Sequence, residues 1–267
     1  MEELINNKVG YLNLPEGFVY LDEWDATIQI SPRYNSIENF TGSIIDGYKA
    51  SRVILTRHAA HALCKVQKDL IKDGFSLVVY DAYRPQKAVN HFIRWATLPS
   101  DAATKANYYP NINKQDAFKL GYIGEKSSHT RGSTVDVSII SSAALQEGGE
   151  EYHGFTTSGG GNTTGMGNNS TFAKISPLLP LQIRTINGYE LPFLDDGTVD
   201  MGSSFDLFDK ASHHGSSSHM TADYLARRDY LRSNMEKHGF VAYEEEWWHY
   251  TLANEPFPST YFDFDIE

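Results

Sequence analysis

The chain has one cysteine, Cys64, so it can form neither an intrachain disulfide nor a cysteine-rich zinc site. Within Ala62-Leu63-Cys64-Lys65-Val66 it reads as a buried helical thiol. Positive charge is also short: 23 Lys and Arg face 34 Asp and Glu, a net charge of −11. Proteins that grip a phosphate backbone cluster their basic residues, and here these are scattered, so nucleic acid is not an expected partner. No stretch approaches the ~20 apolar residues of a membrane span, and no membrane association is expected. Met1-Glu2-Glu3-Leu4-Ile5-Asn6 lacks the basic and apolar regions of a signal peptide. A cytoplasmic protein is therefore the expectation, or a periplasmic one if a leader was removed.

At 267 residues and 40% hydrophobic content the chain buries a core without staples. A single domain over 1–267 is expected. Val53 to Lys72 has apolar residues at helical spacing, with Gly74 as the stop. Phe75 to Tyr80 reads as a buried strand, and Pro85 opens a helix with Val89, Phe92, Ile93 and Ala96 on one face. In Thr134-Val135-Asp136-Val137-Ser138-Ile139 the period of two sends the aliphatic residues to one side and Asp136 to the other. A helix from Thr221 to His238 precedes two aromatic strands, Phe240 to Tyr243 and Trp247 to Leu252, around Glu244-Glu245. Helices mixed with short strands, without regular alternation, predict an α+β fold with a partly antiparallel sheet and flanking helices.

Between 146 and 171 the composition shifts, with eight of the 21 glycines falling there among Ser, Thr and Asn. Such a stretch buries too little apolar surface to offset its ordering entropy and reads as a long insertion, extending to about 190. It contains neither Gly-x-x-x-x-Gly-Lys-Ser/Thr nor Gly-x-Gly-x-x-Gly, so it is no phosphate loop.

Two separated motifs carry chemistry. Ser127-Ser128-His129-Thr130-Arg131-Gly132 runs on to Asp136, and Glu246-Trp247-Trp248-His249 lies far downstream. Together they offer two imidazoles, a carboxylate and a spare acid, the set a metal-assisted hydrolase needs for ligands and for moving a water proton. Gly132 supplies the turn freedom that lets His129 and Asp136 converge. Glu246 and His249, three apart, face opposite sides of a regular strand, so a bulge or twist is required for both to reach one site. Arg84, beside Asp81 on a strand-to-helix turn, is either a local ion pair or a donor to a developing oxyanion. His58 and His61 share a helix face without a third ligand nearby. His213, His214 and His219 are not expected to be ligands.

Asp81-Ala82-Tyr83-Arg84-Pro85, the segment from Ser127 to Asp136, Met201-Gly202-Ser203-Ser204-Phe205-Asp206 with Ser212-His213-His214, and Glu246-Trp247-Trp248-His249-Tyr250 together resemble the D-alanyl-D-alanine dipeptidases of the VanX type. These are zinc enzymes related to the D-alanyl-D-alanine carboxypeptidases and to the Hedgehog fold. Asn39-Phe40-Thr41-Gly42, Tyr108-Tyr109-Pro110-Asn111-Ile112 and Tyr261-Phe262-Asp263-Phe264 extend the likeness over nearly the whole chain. The resemblance implies one Zn²⁺ per chain held by His129, Asp136 and His249, with Glu246 as general base and acid and Arg84 stabilising the transition state. It implies further that Asp206, Ser127 and Tyr34 line the pocket for the ammonium end of a small dipeptide, with Asp81 orienting Arg84. The alternatives are a carboxypeptidase acting on longer peptidoglycan peptides and a non-catalytic zinc-binding module. The insertion departs from compact members and reads as a surface loop, a lid or a subunit contact, and homo-oligomerisation stays open.

Overall fold

β-branched and aromatic runs supply the strands, and helix stripes cover them. In the computed structural model, which describes residues 14–147, 179 and 181–267, the chain opens with β1 (Phe18–Tyr20), α1 (Leu21–Trp24) and β2 (Gln29–Ile30). β3 (Ile54–Thr56), α2 (Arg57–Lys72), β4 (Phe75–Asp81), α3 (Gln86–Thr97) and α4 (Ala102–Tyr108) follow. Then come β5 (Thr134–Ser141), α5 (Ser142–Glu147), β6 (Leu181–Ile186), β7 (Tyr189–Leu194), α6 (Ala222–Lys237), β8 (Phe240–Ala242) and β9 (His249–Leu252). Most of the predicted insertion, 148–178, lies outside the described residues. No helix among the described residues is long and apolar enough to cross a membrane.

One sheet, in the order β2-β4-β5-β9-β8, forms the frame. β2 runs parallel to β4 and the other neighbours are antiparallel, so the sheet is mixed and partly antiparallel as expected. Helix α2 buries Ala59, Ala62, Leu63, Val66 and Leu70 and packs against β4 and α6. Cys64 sits at the margin of that stripe and is half-buried rather than buried. Both faces of β5 are covered, and only its last residue, Ser141, is partly exposed. The predicted alternation holds, but the side bearing Asp136 faces a lined site instead of open water.

Three boundaries differ from the sequence reading. The helix expected from Val53 begins at Arg57, because the β-branched Ile54 and Thr56 pair with β1 in the register Phe18↔Thr56. Thr56 then accepts the Ala59 N–H at 3.3 Å through its hydroxyl and caps α2. The second aromatic strand starts at His249, not Trp247. Glu246, Trp247 and Trp248 form a turn in which the Trp247 N–H donates to the Ser212 carbonyl at 3.0 Å, so no strand bulge is needed. The end of the predicted insertion is an ordered hairpin: β6 and β7 meet across Asn187-Gly188, both at positive φ (51° and 80°), the backbone that a two-residue Asn-Gly turn requires.

Gly132 connects the frame to the chemistry. Its φ is +82°, and a Cβ there meets Phe18 Cε1 at 2.3 Å. Phe18 is held edge-on by Tyr83, Phe262 and Phe264 and has no room to retreat. Gly132→Ala is therefore expected to destabilise the protein by roughly 2–4 kcal/mol through overpacking plus left-handed strain. Urea unfolding measures it; a change below about 0.5 kcal/mol would show that this turn is not constrained.

Candidate active site

Strand register assembles the site. Asp81 on β4 pairs with Asp136 on β5, and Asp136 pairs with His249 on β9. Directly opposed residues of antiparallel strands project to one face, so two carboxylates and an imidazole stand in a row across three strands. His129 reaches the same place from a 3₁₀ turn, Ser128–Arg131, whose first N–H groups are capped when the Ser127 hydroxyl accepts from the His129 N–H at 3.3 Å. The carbonyl of His129 in turn accepts from the Arg84 N–H at 3.3 Å, tying the two motifs together through the backbone.

The three predicted ligands converge on one point. His129 Nε2, His249 Nδ1 and Asp136 Oδ1 are each 3.3 Å from the other two. N and O donors bound at about 2.0–2.1 Å with tetrahedral angles lie about 3.3–3.4 Å apart, so the triangle already has the spacing of three corners around an ion. His129 Nδ1 lies 2.8 Å from the Ala82 carbonyl, which can only accept, so Nδ1 carries the proton and Nε2 aims its lone pair inward. His249 Nε2 contacts the Ser128 hydroxyl at 3.3 Å, leaving Nδ1 for the centre. Asp136 Oδ1 is buried with no hydrogen-bond partner, although an unpaired carboxylate oxygen in the interior is costly. An orphaned oxygen between two ring nitrogens fits a bound cation. Among the described residues this is the one group of three or more such side chains close enough to hold a metal; His58, His61, His213, His214 and His219 do not join one.

Electrostatics support this arrangement. Burial raises the carboxyl pKa of Asp136, but His129 and His249 outweigh it and hold it well below the usual carboxylate range. Burial lowers His249, yet Asp136 and Glu246 push it up to about 9. Glu246 stands outside the triangle, with Oε2 3.4 Å from His249 Nδ1. It is a second carboxylate beside Asp136, outside the three converging groups.

Arg84 is fixed on every side. Its Nε and Nη2 donate to Asp81 Oδ2 at 2.9 and 2.8 Å, and Nη2 lies 3.6 Å from Asp136 Oδ2. The guanidinium sits 5.1 Å from the ring centres of both Tyr34 and Phe92. Asp81, 2% exposed, also accepts from the Tyr48 hydroxyl at 2.7 Å. The local pair of the first reading exists, and it holds the guanidinium on the side of Asp136.

Asp206 lines the same cleft. It is one of two non-glycine residues at positive φ among those described (60°), a conformation Asp tolerates but rarely adopts without cause. Its Oδ2 accepts from the Tyr34 hydroxyl at 2.9 Å. Burial and the nearby Asp136 raise its carboxyl pKa well above the usual range, with Tyr34 pulling the other way. Tyr34 and Asp206 are therefore brought together as expected. Ser127 lines the same cleft, but its hydroxyl caps the 3₁₀ turn. The cleft encloses about 460 Å³.

Several parts were not visible in the sequence. The Ala82 carbonyl that sets the His129 tautomer is backbone and leaves no compositional trace. Tyr48 and Phe92 reach Asp81 and Arg84 only through tertiary packing. Ser128 stood inside a motif and its contact with His249 was missed.

Comparison with known proteins agrees with this geometry. The profile of the Peptidase_M15 family, described as D-ala-D-ala dipeptidase, matches residues 15–157 and 190–267. A D-alanyl-D-alanine dipeptidase of Enterococcus faecalis is 35% identical over 254 residues, covering 95% of this chain and 100% of the relative. Proteins of the same name from Enterococcus faecium (33%, covering 94% of this chain and 98% of the relative) and Streptomyces coelicolor (36%, covering 93% and 98%) are similarly related.

A pH dependence follows from His249. Its folded pKa, about 9, lies above its ordinary 6.5, so in metal-free protein the charged imidazole contributes stability fully below pH 6.5 and loses it as pH rises through 9. Chelator-treated protein should accordingly melt at lower temperature at pH 9.5 than at pH 6.5, and His249→Gln should reduce that difference. An equal slope in the variant would contradict the assignment.

Proposed function

Given that this chain belongs to the D-Ala-D-Ala dipeptidase family of M15 peptidases, we propose that it is a zinc-dependent dipeptidase that hydrolyses free D-alanyl-D-alanine to two D-alanines. The observation that carries the reading is the triangle of His129, Asp136 and His249 at 3.3 Å spacing, with Glu246 beside it and the Asp206–Tyr34 pair lining the same cleft. The likeness also supports a single Hedgehog-type α+β domain over 1–267.

His129 Nε2, Asp136 Oδ1 and His249 Nδ1 would hold a Zn²⁺, which would supply Lewis acidity toward the scissile carbonyl and water. Glu246 accepts the proton of the attacking water and returns it to the departing amine. Arg84, already charged and held by Asp81, donates hydrogen bonds to the oxyanion without reorganising. Asp206 meets the substrate ammonium, whose positive charge offsets the burial that otherwise raises the carboxyl pKa. Tyr34 keeps one carboxylate oxygen in place. Ser127 acts by holding the His129 turn and lining the cleft.

A pocket that pairs an ammonium with Asp206 selects free dipeptides, because an acylated amino end brings no charge to replace the one the pocket is built for. Free D-alanyl-D-alanine is expected to be cleaved and its N-acetylated form resisted; the reverse preference would assign a carboxypeptidase acting on longer peptides. Glu246→Gln should retain one zinc per chain while losing turnover, and Arg84→Ala should lower kcat about 10²–10³-fold. Metal analysis with steady-state kinetics checks both, and an active Glu246→Gln variant would remove Glu246 from the mechanism.

A further inference from the structure

The hairpin β6–β7 is not part of the sheet that carries the ligands, and all of β6 with its Asn187-Gly188 turn falls outside the residues matched to the family. It nevertheless brackets Asp206. Upstream, the Leu194 N–H donates to the Ser204 hydroxyl at 2.7 Å, two residues before Asp206. Downstream, the Tyr189 hydroxyl donates to Asp209 Oδ2 at 2.7 Å, three residues after it. Asp209 Oδ2 also accepts from Asn111 at 2.8 Å, so its carboxylate anchors two elements at once.

Between these anchors the hairpin builds its own small core. Ile186 and Leu191 bury against Leu207, Ala211 and Met220, a cluster separate from the main one, and Leu207, the residue adjoining Asp206, is fully buried in it. Asn187 Nδ2 donates to the Met220 carbonyl at 3.1 Å and Arg184 to Asp200 Oδ2 at 2.6 Å, fixing the hairpin at its turn and at the middle of β6. Asp206 is meanwhile held at φ 60° in the left-handed region, which a loop keeps only when its neighbours over-determine it.

We propose that the β6–β7 hairpin is the positioning element of the ammonium pocket: Ile186, Tyr189 and Leu191 hold Leu207 and Asp209 so that Asp206 keeps its left-handed backbone and faces Tyr34. The inference rests on the reading of Asp206 as the ammonium partner. None of the three touches the ligand triangle, so the role is one of positioning and falls on substrate binding more than on the chemical step.

Steady-state kinetics on zinc-loaded Ile186→Ala and Tyr189→Phe tests this, with Asp206→Asn as reference and Ile186→Val as the conservative control. Each of Ile186→Ala and Tyr189→Phe should raise KM for D-alanyl-D-alanine about three- to tenfold at nearly constant kcat and zinc content, with Ile186→Val close to wild type. In the Asp206→Asn background the same substitutions should leave KM unchanged, because their effect passes through that carboxylate. Additive effects in that background, or a parallel fall of kcat and zinc content, would mark a general structural role and overturn the proposal. So would unaltered KM in folded Ile186→Ala and Tyr189→Phe while Asp206→Asn raises it. If Asp206→Asn itself leaves KM unchanged, the ammonium reading fails, whatever the hairpin variants do.

Discussion

Three lone-pair donors held 3.3 Å apart in a buried pocket oppose one another unless positive charge lies between them, and the structure is organised around that constraint. Strand register supplies two of the donors at no local cost, because opposed residues of β5 and β9 share a face whatever their chemistry. The third comes from a turn that needs Gly132 at positive φ and the Ala82 carbonyl to fix its tautomer. Asp136 and Glu246 raise the affinity of His249 for a proton, which an ion held by the triangle would have to displace. Metal and proton would thus compete for one position.

The charges around this centre divide into two sets. Asp81 and Tyr48 serve Arg84, a cation already paired and stacked before any substrate arrives. Asp206 is less neutralised: burial and Asp136 raise its carboxyl pKa well above the usual range. In the proposed reaction the first set would meet a developing negative charge and the second an existing positive one. Glu246 lies near His249 but outside the triangle, which suits the proton-transfer role proposed for it.

Much of this was legible before any coordinates. The alternation around Asp136, the Gly132 turn and the three-residue step from Glu246 to His249 are local signals, and they located the donors. The order of motifs along the chain identified a family that the relatives bear out. What stayed hidden is tertiary. Ile54 to Thr56 looked like the start of a helix because its pairing with β1 lies more than thirty residues upstream, and a window of sequence holds no record of that partner. The Glu246–His249 step was expected to bulge a strand; a turn fixed by the Ser212 carbonyl does the same work. The hairpin was absorbed into a low-complexity insertion although Asn187-Gly188 carried a turn signal, because glycine-rich composition upstream outweighed two residues.

The central claim is that His129, Asp136 and His249 hold one metal while Glu246 stays outside its ligand shell. Zinc K-edge absorption on the loaded protein tests it most directly, comparing wild type with Glu246→Gln. The account predicts two imidazole nitrogens with otherwise oxygen ligands at about 2.0–2.1 Å, identical in the two proteins. A shell that loses an oxygen in Glu246→Gln, or that contains one imidazole or none, would contradict it.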